Sequence, residues 1–207
     1  MPKRWPSSRH SPCAPSWLAL GVSLLLASCG GKDVLAPPMP KPRPVADPSQ
    51  VIWQAEPGGV RLTIEAAPDL NLREETPLSL SLCVFQLDKT EKFDDLAQTP
   101  EGLDKLQACT VEAAGAVNAR RYWLQPGQKR TEVLERAEGA RTMAVAAGYA
   151  HLDPELSHAS FRYPLRVGKE GYVPGFRKTV YSASPVEIVI RLTASRVSIN
   201  GAKRDPE

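Results

Sequence analysis

Leu78-Ser79-Leu80-Ser81-Leu82-Cys83-Val84-Phe85-Gln86-Leu87 decides the fold. Leucine and serine alternate through its first half, as they do where one face of a strand is buried and the other is wet. From Cys83 onward both sets of positions turn apolar, which predicts a strand covered on two sides toward its end. Upstream, Val60-Arg61-Leu62-Thr63-Ile64-Glu65-Ala66 alternates in the same way and reads as a partner strand. The segment between them, Pro68-Asp69-Leu70-Asn71-Leu72-Arg73-Glu74-Glu75-Thr76-Pro77, has turn residues and no sustained period, so it reads as a loop.

Downstream the pattern changes. Thr90 or Asp88 caps a short helix carrying Phe93, Leu96 and Ala97, and Pro100 opens a second turn with Leu103 and Leu106. We read this as a small helical insertion. Strands resume at Arg121–Leu124, Lys129–Glu135 and Arg141–Ala150, with a turn at Gln125-Pro126-Gly127-Gln128. Residues 151–184 read as irregular, with short strands at Ser160–Val167 and Arg177–Tyr181. Glu187–Leu192 and Arg196–Ile199 close the body as a strand pair or one bent strand. The expected fold is all-β: a sandwich of seven or eight strands with a small helical insertion, over residues 51–207.

The amino-terminal part belongs to no packed core. Residues 1–28 start basic, with Lys3, Arg4 and Arg9, and then run uncharged from Trp17 to Ala27. That length suits a signal sequence and is short for a permanent membrane span. Leu26-Ala27-Ser28-Cys29 looks like a bacterial lipobox, in which the cysteine is acylated with chains such as palmitate and becomes the first residue. Removal of 1–28 leaves about 180 residues, enough for one domain plus a tail. Residues 29–50 hold six prolines (37, 38, 40, 42, 44 and 48) and read as an extended tether of about 60 Å.

Charge and cysteine usage narrow the function. The chain has 26 Lys+Arg and 23 Asp+Glu, and the signal sequence takes three of the basic residues and none of the acidic ones. The remainder is balanced, which gives no electrostatic case for nucleic acid. Of four cysteines, Cys13 leaves with the signal and Cys29 takes lipid. Cys83 and Cys109 remain in a chain bound for an oxidising space, so a disulfide is expected, worth about 3 kcal/mol on the chain-entropy model. Two buried thiols are the alternative.

Catalytic patterns are weak. His151-Leu152-Asp153 and His158 match no zinc spacing and read as surface or structural histidines. No serine sits in a nucleophile elbow, and Glu74-Glu75 and Asp94-Asp95 read as solvated charge. We expect no catalytic residue, no metal, no cofactor and no enzyme activity. Exposed aromatics such as Trp53, Trp123 or Tyr172 keep open a lipoprotein that binds a small ligand or glycan.

From Cys29 to Ile199 the order of features resembles the outer-membrane lipoprotein family of the type VI secretion system, called TssJ or SciN. The residues carrying the likeness are the lipobox, the Pro-rich tether and Val84-Phe85-Gln86-Leu87, where the family has Val-Tyr-Gln-Leu. The Phe93–Leu96 helical segment, the Leu124-Gln125-Pro126-Gly127 turn, Ala144-Val145-Ala146-Ala147-Gly148-Tyr149 and Phe161-Arg162 follow in order. The departures Phe85, Tyr149 and Phe161 each keep an aromatic. The resemblance implies a transthyretin-like sandwich, lipid-anchored at the outer membrane with its body facing the periplasm. Gly30, where an aspartate would retain the protein at the inner membrane, agrees with that address. The resemblance further implies that the chain binds the periplasmic domain of the inner-membrane protein TssM, through the loop between the first two strands. Here that loop offers Asp69, Leu70, Asn71, Leu72, Arg73, Glu74 and Glu75, with the charges as a rim. An ordinary connector whose leucines tuck onto the sandwich is the competing reading.

Overall fold

The computed structural model describes residues 42–173 and 175–204. The signal sequence, Cys29 and the tether up to residue 41 lie outside them. The described chain forms strands β1 (Glu56–Ala66) and β2 (Leu80–Leu87), then helices α1 (Glu91–Ala97), α2 (Pro100–Leu106) and α3 (Val111–Ala114). There follow β3 (Asn118–Leu124), β4 (Lys129–Arg136), β5 (Thr142–Ala147), β6 (His158–Arg162), β7 (Leu165–Glu170), β8 (Lys178–Ala183), β9 (Val186–Leu192) and β10 (Val197–Lys203). One four-stranded sheet has the order β10-β9-β1-β4, the other β3-β2-β5-β6, and β7-β8 stand apart as a two-stranded ribbon. All pairings are antiparallel except β1 with β9.

The sheets pack face to face on the side chains that alternation points inward. Val60, Leu62 and Ile64 of β1 and Val186, Ile188, Ile190 and Leu192 of β9 meet Leu80, Leu82 and Val84 of β2 and Met143, Val145 and Ala147 of β5. The other face of β2 carries Cys83, Phe85 and Leu87. These join Ala144 and Ala146 of β5 in a second cluster, with Phe93, Ala97, Leu103, Leu106 and Ala114 of the helices. The helical insertion is therefore the cover that the apolar second half of the β2 sequence requires. Thr99 caps α2 by accepting from the Gly102 amide at 3.1 Å, with Pro100 in the first turn. A Cβ at Gly102 would sit 2.0 Å from the Leu96 carbonyl oxygen, so glycine sets how closely α1 and α2 approach.

The β-sandwich is as expected, with ten strands rather than seven or eight. The final pair is a hairpin and not one bent strand. Ser160–Val167 splits at Tyr163-Pro164 because proline cannot donate to a ladder, and its second half starts the ribbon. The contacts of the body also begin earlier than residue 51. Val45 exchanges backbone hydrogen bonds with Tyr181 of β8 at 2.9 and 2.7 Å, and Asp47 caps a 3-10 turn at Pro48–Gln50. The contacts of the body accordingly reach back to Val45, ahead of the expected start at residue 51.

Candidate functional site

The loop between β1 and β2 is rooted at both ends. Leu70 is fully buried in the sandwich core. Asn71, also buried, takes a positive φ of 50°, which asparagine tolerates better than most residues. Its amide group donates to the Ser79 carbonyl at 3.1 Å, and its carbonyl oxygen accepts from the Ala150 amide at 2.8 Å. One side chain thus ties the two limbs of the loop to each other and to the chain after β5. Backbone bonds from Asn71 to Thr193 and from Leu72 to Ala194 fasten the same point to the β9–β10 turn. Leu78 donates back to Leu70 at 3.0 Å.

Beyond that root the loop is solvent-exposed from Leu72 to Ser79. Arg73 and Thr76 close a tight turn with reciprocal backbone bonds of 3.0 and 2.8 Å. The two residues at its apex are Glu74 and Glu75, with φ of 46° and 64°. Positive φ at both central positions is what Asn-Gly normally supplies in such a turn. Two glutamates there store strain and aim two carboxylates outward, beside Arg73 and an exposed Leu72.

The seven residues expected at a contact surface therefore separate. Asp69, Leu72, Arg73, Glu74 and Glu75 face solvent. Leu70 and Asn71 do not, and their part is corrected from contact to scaffold: core packing buries one and three-way hydrogen bonding the other. Neither sequence reading of the two leucines holds alone, because one tucks in and the other stays out. Leu78, partly exposed on the returning limb, belongs to the same surface and was missed. Its place in the Leu/Ser alternation marked it as strand, and nothing in the pattern shows where pairing starts.

The remaining candidates fall elsewhere. Cys83 and Cys109, the expected disulfide partners, are free thiols in this structure. The neighbouring Cys109 thiol, together with burial, pushes the Cys83 thiol up, while Cys83 holds the Cys109 thiol down. Cys83 Sγ donates to the Gln107 carbonyl at 4.0 Å. Among the ligand-binding aromatics, Trp53 is buried under the Arg136 guanidinium, 5.3 Å from its ring centroid, and does core work. Trp123 is exposed on the edge strand β3 beside Arg121. A cleft lined by Val84, Gln86, Asn118, Leu134 and Met143 has about 60 Å³, room for roughly two waters and far below a ligand pocket. His151 is exposed, and His158 packs edge-on to Phe93 at 6.2 Å. Among the described residues no group of three or more His, Cys, Asp or Glu is placed to hold a metal, and no helix is long and apolar enough to cross a membrane.

A family model described as type VI secretion lipoprotein (VasD, EvfM, TssJ) matches residues 59–194. The chain belongs to the type VI secretion lipoprotein family. Its members are structural components of the secretion apparatus. The match starts inside β1 and ends after β9, so it takes in the whole β1–β2 loop. A search of curated proteins finds no match. Among solved structures, the lipoprotein TssJ1 from Pseudomonas aeruginosa is 21% identical with a TM-score of 0.49, over 73% of this chain and 98% of that one. Serratia marcescens Lip, a membrane-bound component of the type VI secretion system, is 20% identical with a TM-score of 0.49, over 68% and 96%. A structure of the TssM C-terminal domain from EAEC matches at 17% identity and a TM-score of 0.47, over 68% and 96%.

Proposed function

We propose that this lipoprotein is a non-catalytic anchor. It holds the envelope-spanning type VI secretion complex to the outer membrane by gripping the periplasmic domain of a TssM-like inner-membrane protein. The observation that supports this best is the β1–β2 loop: a root fixed by Leu70 and Asn71, and an apex that presents Leu72, Arg73, Glu74 and Glu75 in one strained geometry. A rigid arm with an apolar centre and charges of both signs suits a protein surface, since little ordering entropy is lost on binding. The lipid on Cys29 supplies the membrane side. Retention by lipid requires more than one acyl chain, which acylation of an amino-terminal cysteine provides.

The test is binding of the mature chain to the partner's periplasmic domain by calorimetry. The double reversal Arg73→Glu, Glu74→Arg is expected to weaken binding by about tenfold or more, roughly 1.4 kcal/mol, without lowering the melting temperature. Unchanged affinity moves the contact elsewhere. Cys29→Ser is expected to release the folded protein from the outer-membrane fraction, and a variant that still fractionates there removes the lipid from the account.

A further inference from the structure

The β7–β8 ribbon ends in the most exposed apolar group of the described residues. Tyr172 is 103% exposed, Phe176 83% and Val173 57%. All three lie on the connection between Glu170 and Lys178, where the Phe176 amide donates to the Val173 carbonyl at 3.1 Å. The base of the ribbon is different: Leu165, Tyr181 and Ala183 pack against the sandwich core together with Val45. Two aromatic rings at the tip therefore serve no packing role. Around them stand Lys169, Arg177 and Lys178, against one acidic residue, Glu170, which pairs across the strands with Lys178. Aromatic side chains ringed by cations are the composition that settles at a membrane–water interface carrying anionic headgroups.

The tether points to the occupant. Val45 is hydrogen-bonded to Tyr181 of β8, so the chain that leads back to Cys29 leaves the body at this ribbon. About sixteen residues separate Val45 from Cys29, a reach of at most about 50 Å for a proline-rich segment. Phe176 at the tip lies only five residues before Tyr181 in the chain, at most about 17 Å away. A lipid fixed at Cys29 thus holds the tip within reach of the bilayer at a high effective concentration, where even weak affinity is sufficient.

We propose that the ribbon tip is a second membrane contact, with Tyr172, Val173 and Phe176 entering the headgroup layer and Lys169, Arg177 and Lys178 meeting its anionic groups. This rests on the reading of Cys29 as the lipid anchor. The contact orients the body: it presses one end of the molecule to the bilayer, where the lipid alone would let it tumble.

Amide hydrogen exchange on the lipidated mature chain, reconstituted in vesicles of phosphatidylethanolamine and phosphatidylglycerol, tests it. Exchange across 171–177 is expected to slow by about fivefold or more relative to the Cys29→Ser chain free in solution, with residues 72–79 unchanged. Tyr172→Ser with Phe176→Ser is expected to abolish the slowing, and replacing phosphatidylglycerol by phosphatidylcholine to weaken it. Equal exchange on and off the vesicle overturns the proposal. So does a tip variant that loses the periplasmic protein partner while its exchange on vesicles is unaltered, which assigns the tip to a protein. If Cys29 carries no fatty acid, a hexahistidine-tagged chain held on nickel-chelating lipid replaces the anchor. The lipid reading can then fail while the tip is still tested.

Discussion

The β1–β2 loop and the β7–β8 ribbon both offer apolar groups to solvent, and they are built in opposite ways. The loop is pinned by a core leucine, a buried asparagine and three backbone bonds at its root, and it exposes Leu72 and Leu78 amid charges of both signs. The ribbon is bonded to itself and to Val45, and it exposes two aromatic rings amid charges mostly of one sign. Fixed geometry with mixed charge selects a particular surface, because a partner must match both the position and the sign of each group. Unfixed aromatic and cationic groups select a medium, because a bilayer interface accepts them at many positions. The difference teaches that exposed apolar area alone does not say what covers it, and that the way it is held does.

The largest effect should come from the root of the loop. Leu70→Ala leaves a cavity in the core and is expected to cost about 3 kcal/mol, a fall in melting temperature of roughly 6–12 °C. Leu72→Ala, two residues on, should change stability by less than about 0.5 kcal/mol while weakening partner binding. Thermal unfolding of the two variants side by side measures the contrast. Equal melting temperatures would mean the loop is not rooted as described, and its likeness to the ribbon would grow.

A crosslink away from both regions provides the control. Cys83 on β2 and Cys109 after α2 are free thiols near enough for each to shift the other's acidity. We propose that oxidation in the periplasm closes them, stabilising by about 3 kcal/mol. Unreduced mass spectrometry should then find the mature chain lighter by two hydrogen atoms. Partner affinity and vesicle protection should both be unchanged by reduction. If reduction alters either, the helical insertion is coupled to that surface and the two regions are not independent.

How far the sequence announces this arrangement depends on which force sets each part. The Leu80–Leu87 strand was legible, including its double burial, because hydrophobic alternation records directly which faces are covered. The second turn of the helical insertion was legible through Pro100; the expected cap at Thr90 makes no side-chain bond to α1, and the cap at Thr99 carried no signal of its own. The third, Val111–Ala114, has one turn only and a cap at Thr110, too short for any period to show. The ribbon was half-seen. Pro164 and the glycines around Tyr172 read as irregular, and only the pairing with β8 makes a strand of Leu165–Glu170. The segment between β1 and β2 was legible as a loop, but the split between Leu70 and Leu72 is a tertiary matter. It follows from the position of the β9–β10 turn, whose carbonyls capture Asn71 and Leu72.

Asn71 tests whether the root acts through hydrogen bonds as well as packing. Asn71→Ala strips the partners from the Ser79 carbonyl and the Ala150 amide and places alanine at positive φ. The expected cost is about 2 kcal/mol. Asn71→Gly relieves the backbone and keeps the lost bonds, so it should recover roughly 1 kcal/mol of that in denaturant titrations. If the two variants are equally stable, the conformation at residue 71 carries no strain and only the side-chain bonds matter.

The smallest effect has the opposite sign. Glu74 and Glu75 occupy the left-handed region at the apex, where each non-glycine residue costs on the order of 1 kcal/mol. Glu74→Asn with Glu75→Gly gives the turn the pair its geometry favours and should raise stability by about 1 kcal/mol, or 2–4 °C. The same change removes both carboxylates, so partner binding should weaken. Glu74→Gln with Glu75→Gln separates the causes: it removes the charge, keeps the strain and should leave stability unaltered. Similar binding losses in the two pairs of variants would show that the carboxylates act through charge alone. A larger loss in the glutamine pair would show that a correctly shaped turn compensates in part. No gain in stability from the asparagine–glycine pair would mean that the apex stores no strain, and the contrast with the self-bonded ribbon would then rest on the root of the loop alone.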